Sequence, residues 1–183
     1  MTGRRPQRPR DPEARRAALA AAVVEVVAEV GIGRTTHRAV AARAGLPLGT
    51  TTYYFPTLDD LVATGLAHAT EALRAELDAW SARLGTATDP AATLAGLVVG
   101  YLADRRRARV EYELYVAAAR NPALRPLAET WLHGLRDLLI PHTGATAARD
   151  VAALVDGAVL QALATDTKLN RADLAAAIRR LTP

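Results

Sequence analysis

Residues 35–62 read TTHRAVAARAGLPLGTTTYYFPTLDDLV, and the fold turns on how residues 48–55 of that stretch are built. Before them, Thr36 offers a hydroxyl that can cap a short helix over residues 36–44, with Val40, Ala41 and Ala44 on its inner face. Gly45 stops this helix because glycine takes the left-handed conformation that other residues resist. Then come Leu46-Pro47 and a run that argues against a helix. Thr50, Thr51, Thr52, Tyr53, Tyr54 and Phe55 are β-formers, and Gly49 costs a helix about 1 kcal/mol relative to alanine. Taken alone, the run is a strand. A lone strand among helices has no pairing partner, however, and its backbone N–H and C=O groups would go unsatisfied. Residues 48–55 are therefore predicted to be a helix held by tertiary packing. Two short helices joined by a tight turn containing glycine make a helix-turn-helix.

Upstream, Asp11 followed by Pro12 reads as an N-cap with proline at the first helical position. Leu19, Ala22, Val23, Val26, Val27 and Val30 then recur at the spacing of one buried helical face, which Gly31 ends. Residues 1–10 carry Arg4, Arg5, Arg8 and Arg10 without periodic apolar positions, and are expected to form a disordered basic arm. Downstream, Pro56-Thr57 open a long helix that repeats Leu58, Leu61, Val62, Leu66, Ala69, Leu73, Leu77, Trp80 and Leu84. At about 1.5 Å per residue it would run roughly 40 Å, long enough to connect two modules. Further helices are expected near residues 90–107, 110–119, 123–140, 145–165 and 170–182. Breaks fall at Asp89-Pro90, Asn121-Pro122, residues 141–144 and residues 166–170. The reading is all-α, about nine helices. A three-helix domain over residues 11–56 is followed by a helical body over residues 57–183.

Composition agrees. Half of the 183 residues are apolar, enough for a sizeable core, while phenylalanine occurs once and alanine and leucine dominate. The absence of cysteine removes disulfides, thiolate zinc sites and cysteine nucleophiles from consideration. No apolar run approaches the roughly 18 residues of a membrane span, and the N-terminal arginines are not followed by a signal-peptide core, so a cytoplasmic protein without membrane contact is expected. Charge is uneven. Residues 1–55 hold nine arginines against Asp11, Glu13, Glu25 and Glu29, a net of +5 that leaves −1 for the rest of a chain whose total is +4. A basic end on a near-neutral body suits an anionic partner met by that end, and DNA is the commonest; a merely solubilising surface fits the charge equally well.

The stretch resembles the TetR family of regulators, whose pattern is a threonine-capped helix, alanine-glycine, a short turn, a recognition helix ending in tyrosines and phenylalanine, then proline and a long helix. Ala44-Gly45-Leu46, Gly49-Thr50, Tyr53-Tyr54-Phe55-Pro56 and Asp59-Asp60-Leu61 match that pattern over about residues 12–65. The resemblance implies that Thr36, His37 and Arg38 meet DNA and that Pro47, Leu48, Gly49, Thr50, Thr51, Thr52, Tyr53 and Tyr54 lie in or beside the major groove. Thr52 departs from the family, standing where its first recognition-helix tyrosine is expected. Arg38 suits a guanine contact, because its fork can bond O6 and N7 together, though a phosphate contact or plain surface charge fits as well. The arm can track a minor groove or idle. For Phe55 the reading is core.

In the body, Tyr101, Tyr112, Tyr115, Trp131 and Gln161 are the candidate ligand-binding residues, since an apolar cavity with a few polar groups is the usual small-molecule site; core packing is the competing reading for each. By resemblance, the middle helices line an inducer pocket. The last two helices carry Val151, Leu154, Val155, Ala158, Leu163, Leu174 and Ile178 among alanines, and are expected to form a homodimer seam, with a purely intrachain core as the competing reading. His133 and Asp137 share a helical face with His142 nearby, a set too scattered for a metal site. Glu111 and Glu113 read as a solvated face. No cofactor and no metal are expected, and no nucleophile–base pair or phosphate loop supports an enzyme. The expected function is a ligand-responsive repressor that binds a double-stranded pseudo-palindromic operator as a dimer and responds to an unidentified small-molecule effector. A ligand-independent architectural or adaptor protein is the alternative, and a small helical enzyme the remoter one.

Overall fold

The computed structural model describes residues 11–182. They form α1 (Pro12–Val30), α2 (His37–Ala44), α3 (Leu48–Tyr54), α4 (Leu58–Gly85), α5 (Pro90–Tyr101), α6 (Arg105–Ala117), α7 (Arg125–Thr165) and α8 (Arg171–Leu181). Two 3-10 turns, Ile32–Arg34 and Pro122–Leu124, complete the regular structure, and no strand occurs among the described residues. The architecture is all-α. Gly144, at φ 76° and ψ 162°, breaks α7 in two, so the described residues hold nine helical stretches. The basic arm expected at residues 1–10 lies outside the described residues.

Local chemistry sets most of the ends. The Asp11 carboxylate accepts from the Glu13 N–H at 3.0 Å and Pro12 opens α1, where its missing N–H removes nothing from the helix. The Thr36 hydroxyl accepts from the Ala39 N–H at 3.1 Å, Asp89 accepts from Ala92 at 3.0 Å, and Asn170 accepts from Ala172 at 2.8 Å. Gly45 closes α2 at φ 66°, the left-handed conformation expected of it.

Two boundaries move. The helix expected over residues 90–107 ends at Tyr101, and α6 begins at Arg105 because the Asp104 carboxylate caps it through the Arg107 N–H at 3.0 Å. The loop expected at residues 141–144 contracts to the single break at Gly144, with Pro141 carried inside the helix.

The chain divides into two compact units between Ala69 and Thr70. The first is α1, α2, α3 and the opening turns of α4, so it reaches beyond residue 56, where the sequence reading changes domain. The reason is a close helix approach: a Cβ on Gly65 would stand 2.2 Å from Val23 Cγ1 and 2.9 Å from the Ala20 carbonyl oxygen. Its core is Leu19, Val23, Val26, Val27, Val40, Phe55 and Leu61. Arg43 of α2 joins Glu25 and Glu29 of α1 in ion pairs that tie the two helices at their surface.

In the second unit, α8 lies along α5 and against α7. Arg179 of α8 pairs with Asp89 at 2.5 Å, and Arg171 donates to the Ala92 carbonyl at 3.2 Å. Arg105 of α6 donates to the Ala162 and Thr167 carbonyls at 2.7 and 3.2 Å, satisfying the end of α7. No helix of the described residues is long and apolar enough to cross a membrane.

Candidate functional site

Two places carry chemistry, one in each unit. In the first unit, α3 is a seven-residue helix in spite of its β-forming composition, entered from Pro47 in extended conformation. What holds it is its inner edge: Phe55 and Thr51 are sealed in the core, at 1% and 0% exposure. The His37 Nε2–H donates to the Phe55 carbonyl at 3.0 Å and fixes the C-terminal end of α3 to the start of α2. The Arg16 guanidinium lies over the Phe55 ring, 4.9 Å from its centroid.

The outer edge of α3 is open. Pro47, Leu48, Gly49, Thr52 and Tyr53 are exposed, Tyr53 by 79%, while Thr50 and Tyr54 are half-buried. Tyr53 and Tyr54 meet edge to face at 5.0 Å, so each ring restricts the other. Thr36 and Arg38, on the neighbouring helix end, are exposed as well. No acidic residue occurs between Glu29 and Asp59, a span that contains Arg34, Arg38 and Arg43.

Two of the residues expected at DNA face inward. Thr51 is fully buried and its hydroxyl meets no hydrogen-bond partner among the described residues, so it seats α3 and cannot reach a groove. His37 is half-buried and spends its Nε2–H on Phe55. The β-run has period two and a helix has period 3.6, so only folding decides which of three adjacent threonines turns inside.

In the second unit, five aromatic rings from α4, α5, α6 and α7 assemble. Tyr101 stacks on Trp131 at 5.8 Å and 27°, and Trp80 meets both edge to face at 6.3 and 6.1 Å. Tyr112 touches Tyr101, Trp131 and Tyr115 at 6.4, 6.4 and 6.0 Å. Two carboxylates serve the polar edges of these rings. Asp156 accepts from Trp131 Nε1–H at 2.7 Å, Tyr112 O–H at 3.1 Å and, at the long limit, Tyr115 O–H at 3.5 Å. Glu111 accepts from Tyr101 O–H at 2.9 Å.

Burial raises the pKa of both acids, overcoming the hydrogen bonds and the nearby Arg107 and Arg136 charges that act the other way. It also pushes the Tyr101 and Tyr112 hydroxyls upward, so both remain neutral donors. The cluster is thus a set of packed aromatic rings whose polar edges meet two half-buried acids.

Four of the five expected ligand-binding residues, Tyr101, Tyr112, Tyr115 and Trp131, meet in this cluster. Gln161 is exposed. The sequence reading missed Trp80, Glu111 and Asp156. Glu111, expected on a solvated face, is instead bound to Tyr101 and Arg107. Asp156 left one signal: it is the single charged residue in residues 151–165. Of the residues expected in a dimer seam, Val151, Val155, Leu163, Leu174 and Ile178 are buried within the chain. Leu154 and Ala158 are half-buried, and Leu160 and Leu181 remain 47% and 39% exposed. Among the described residues, no three His, Cys, Asp or Glu side chains converge as metal ligands.

Known proteins share this plan. Residues 85–183 match the family model of the tetracyclin repressor-like C-terminal domain. A member of the TetR family from Streptomyces coelicolor A3, SCO1917, is 42% identical over 92% of this chain and 98% of its own, with a TM-score of 0.78. The multidrug binding protein EbrR, solved in complex with malachite green, is 40% identical over 92% of this chain and 98% of its own, with a TM-score of 0.76. Its complex with ethidium gives 41% identity, 92% and 99% coverage and a TM-score of 0.73. No curated protein matches the chain at a significant level. By fold, motif and sequence, the chain belongs to the TetR family of transcriptional regulators.

Proposed function

We propose that this regulator binds a pseudo-palindromic operator as a homodimer, through the outer edge of α3 with Thr36 and Arg38, and that an aromatic cation bound in the second unit releases it. The carrying observation is the contrast between an acid-free, exposed helix edge in the first unit and half-buried carboxylates among aromatic rings in the second. Two copies of α3 in successive major grooves would stand roughly 34 Å apart, one turn of the duplex. On this reading Arg38 reads a base or phosphate, Tyr53 and Thr52 offer hydroxyls to the backbone, and Gly49 leaves room for it. The homodimer seam follows the half-buried Leu154, Gly157 and Ala158 and the exposed Leu160 and Leu181 of the last two helices, where small residues permit close helix approach. The protein acts in the cytoplasm by binding, without catalysing a reaction.

The effector class comes from the cluster. Ethidium and malachite green are aromatic cations with delocalised charge, and EbrR, 40 and 41% identical in the two comparisons, was solved with them. Rings at Tyr101, Trp131 and Trp80 supply faces, while Glu111 and Asp156 supply charge in a partly desolvated setting. A ligand that binds the DNA-incompetent arrangement about 5.5 kcal/mol better than the competent one takes operator occupancy from nearly full to nearly none.

The test uses a duplex selected from a genomic pool. Arg38→Ala combined with Tyr53→Phe is expected to weaken binding of that duplex roughly tenfold to a hundredfold, with helicity and dimerisation unchanged. Unaltered affinity would move the DNA face elsewhere. Ethidium is expected to release the duplex from the wild-type protein, and Asp156→Asn to require more of it.

A further inference from the structure

The aromatic cluster already holds a cation, and it belongs to the chain. The Arg107 guanidinium, on α6, lies over the Tyr101 ring of α5 with 5.3 Å between its carbon and the ring centroid. Its Nη2 donates to both carboxylate oxygens of Glu76 on α4, at 2.9 and 2.7 Å, and its Nε stands 3.4 Å from Glu111. One planar charge therefore satisfies two acids and one ring face drawn from three helices.

Exposure ranks these groups. Arg107 is 44% exposed at its side chain, against 22% for Glu76 and 33% for Glu111, and Tyr101 is buried at 4%. The cation is the outermost member and the acids lie deeper. An ion pair this open to water is weakened by screening, so the guanidinium can leave cheaply. The acids cannot follow it outward to the same degree and keep two negative charges beside the rings. A guanidinium is flat, delocalised and weakly hydrated, and it stacks on aromatic faces as an aromatic cation does.

We propose that Arg107 is the chain's own occupant of the effector-cation site, and that an aromatic cation binds by displacing its guanidinium from Tyr101, Glu76 and Glu111. The inference rests on the aromatic-cation reading above and adds the residue that tunes it. Arg107 sets the threshold concentration: a monocation must match its charge and its stacking, and a neutral arene gains nothing from the acids left behind. Its departure also breaks the tie between α6 and α4, a rearrangement inside the second unit that effector binding alone brings about.

Ethidium titrations of the full-length protein, followed by tryptophan fluorescence and calorimetry, decide it. Arg107→Met is expected to bind ethidium about fivefold to tenfold more tightly than wild type, the worth of one stacked, half-exposed cation, and Arg107→Lys to fall between. Phenanthridine, the uncharged ring system of ethidium, should gain less from Arg107→Met than ethidium does. Equal gains for both probes, or no gain for ethidium, overturn the proposal while leaving the effector class standing. Failure of wild type and variant alike to bind ethidium overturns the effector class and this proposal together. Should Arg107→Met not fold, the wild-type protein answers by nitrogen-15 spectroscopy. Saturating ethidium is expected to shift the Arg107 Nε–H resonance toward that of a free arginine side chain, and an unmoved resonance refutes displacement.

Discussion

The two compact units of this chain place their polar groups on opposite sides of their cores. In the first, the core is aliphatic apart from Phe55, the buried polar side chains are Thr35 and Thr51, and the tyrosine most suited to a ligand, Tyr53, stands 79% exposed. In the second, tyrosine and tryptophan rings are buried and their O–H and N–H groups point at half-buried acids. A surface that must fit a long, stiff, anionic polymer needs its donors outside, where a groove can reach them. A site for a small cation works better inside, because the same charge is worth more where water is thin. The proposed partners of the two units rest on this contrast in where the polar groups lie.

The contrast can be broken at its aliphatic end first. Phe55→Ala empties the centre of the first core and is expected to cost about 3–5 kcal/mol, read as a lower urea midpoint by far-UV circular dichroism, together with loss of operator binding. A cost near that of a surface change would mean that α3 is not seated by Phe55.

Next comes the acid in the second unit. Asp156→Ala strips the acceptor from Trp131 and Tyr112 and leaves two buried donors unsatisfied, for an expected loss of about 2–3 kcal/mol. The pH dependence sharpens the point. Burial raises the Asp156 and Glu111 pKa above their ordinary values, so the folded state binds protons more tightly than the unfolded one. The contribution of these two acids to stability is then fully present below the ordinary carboxylate pKa and is lost as pH rises through the raised folded values. Asp156→Asn should flatten that decline in urea midpoints followed by tryptophan fluorescence. A decline of unchanged slope would assign the effect to Glu111 alone.

The smallest expected effect has the opposite sign. Thr51→Val keeps the shape of a side chain whose buried hydroxyl has no partner among the described residues, and is expected to stabilise the first unit by about 1 kcal/mol without weakening operator binding. Weaker binding would put Thr51 back at the DNA face.

Much of this was written in short-range signals. Asp11, Thr36, Gly45, Asp89 and Asn170 act on backbone groups within a few residues of themselves, and each ends or begins a helix where its chemistry says it should. The recognition-type stretch from Ala44 to Leu61 was legible for the same reason, as a run of adjacent residues with one arrangement of caps and breakers. Tyr101, Tyr112, Tyr115 and Trp131 stood out as rare aromatics in an alanine-rich chain, and they do come together.

Amino-acid order alone settled the helical class, most helix ends and the helix-turn-helix, since capping, glycine's left-handed turn and apolar spacing are properties of neighbours along the chain. Folding decided which threonine of the three in α3 turns inward, and that Glu111 and Asp156 become half-buried partners of aromatic rings. Asp156 meets Tyr112 across 44 residues and Trp131 across 25. Desolvation and charge pairing at that range depend on which helices come to lie together, and no local pattern encodes that.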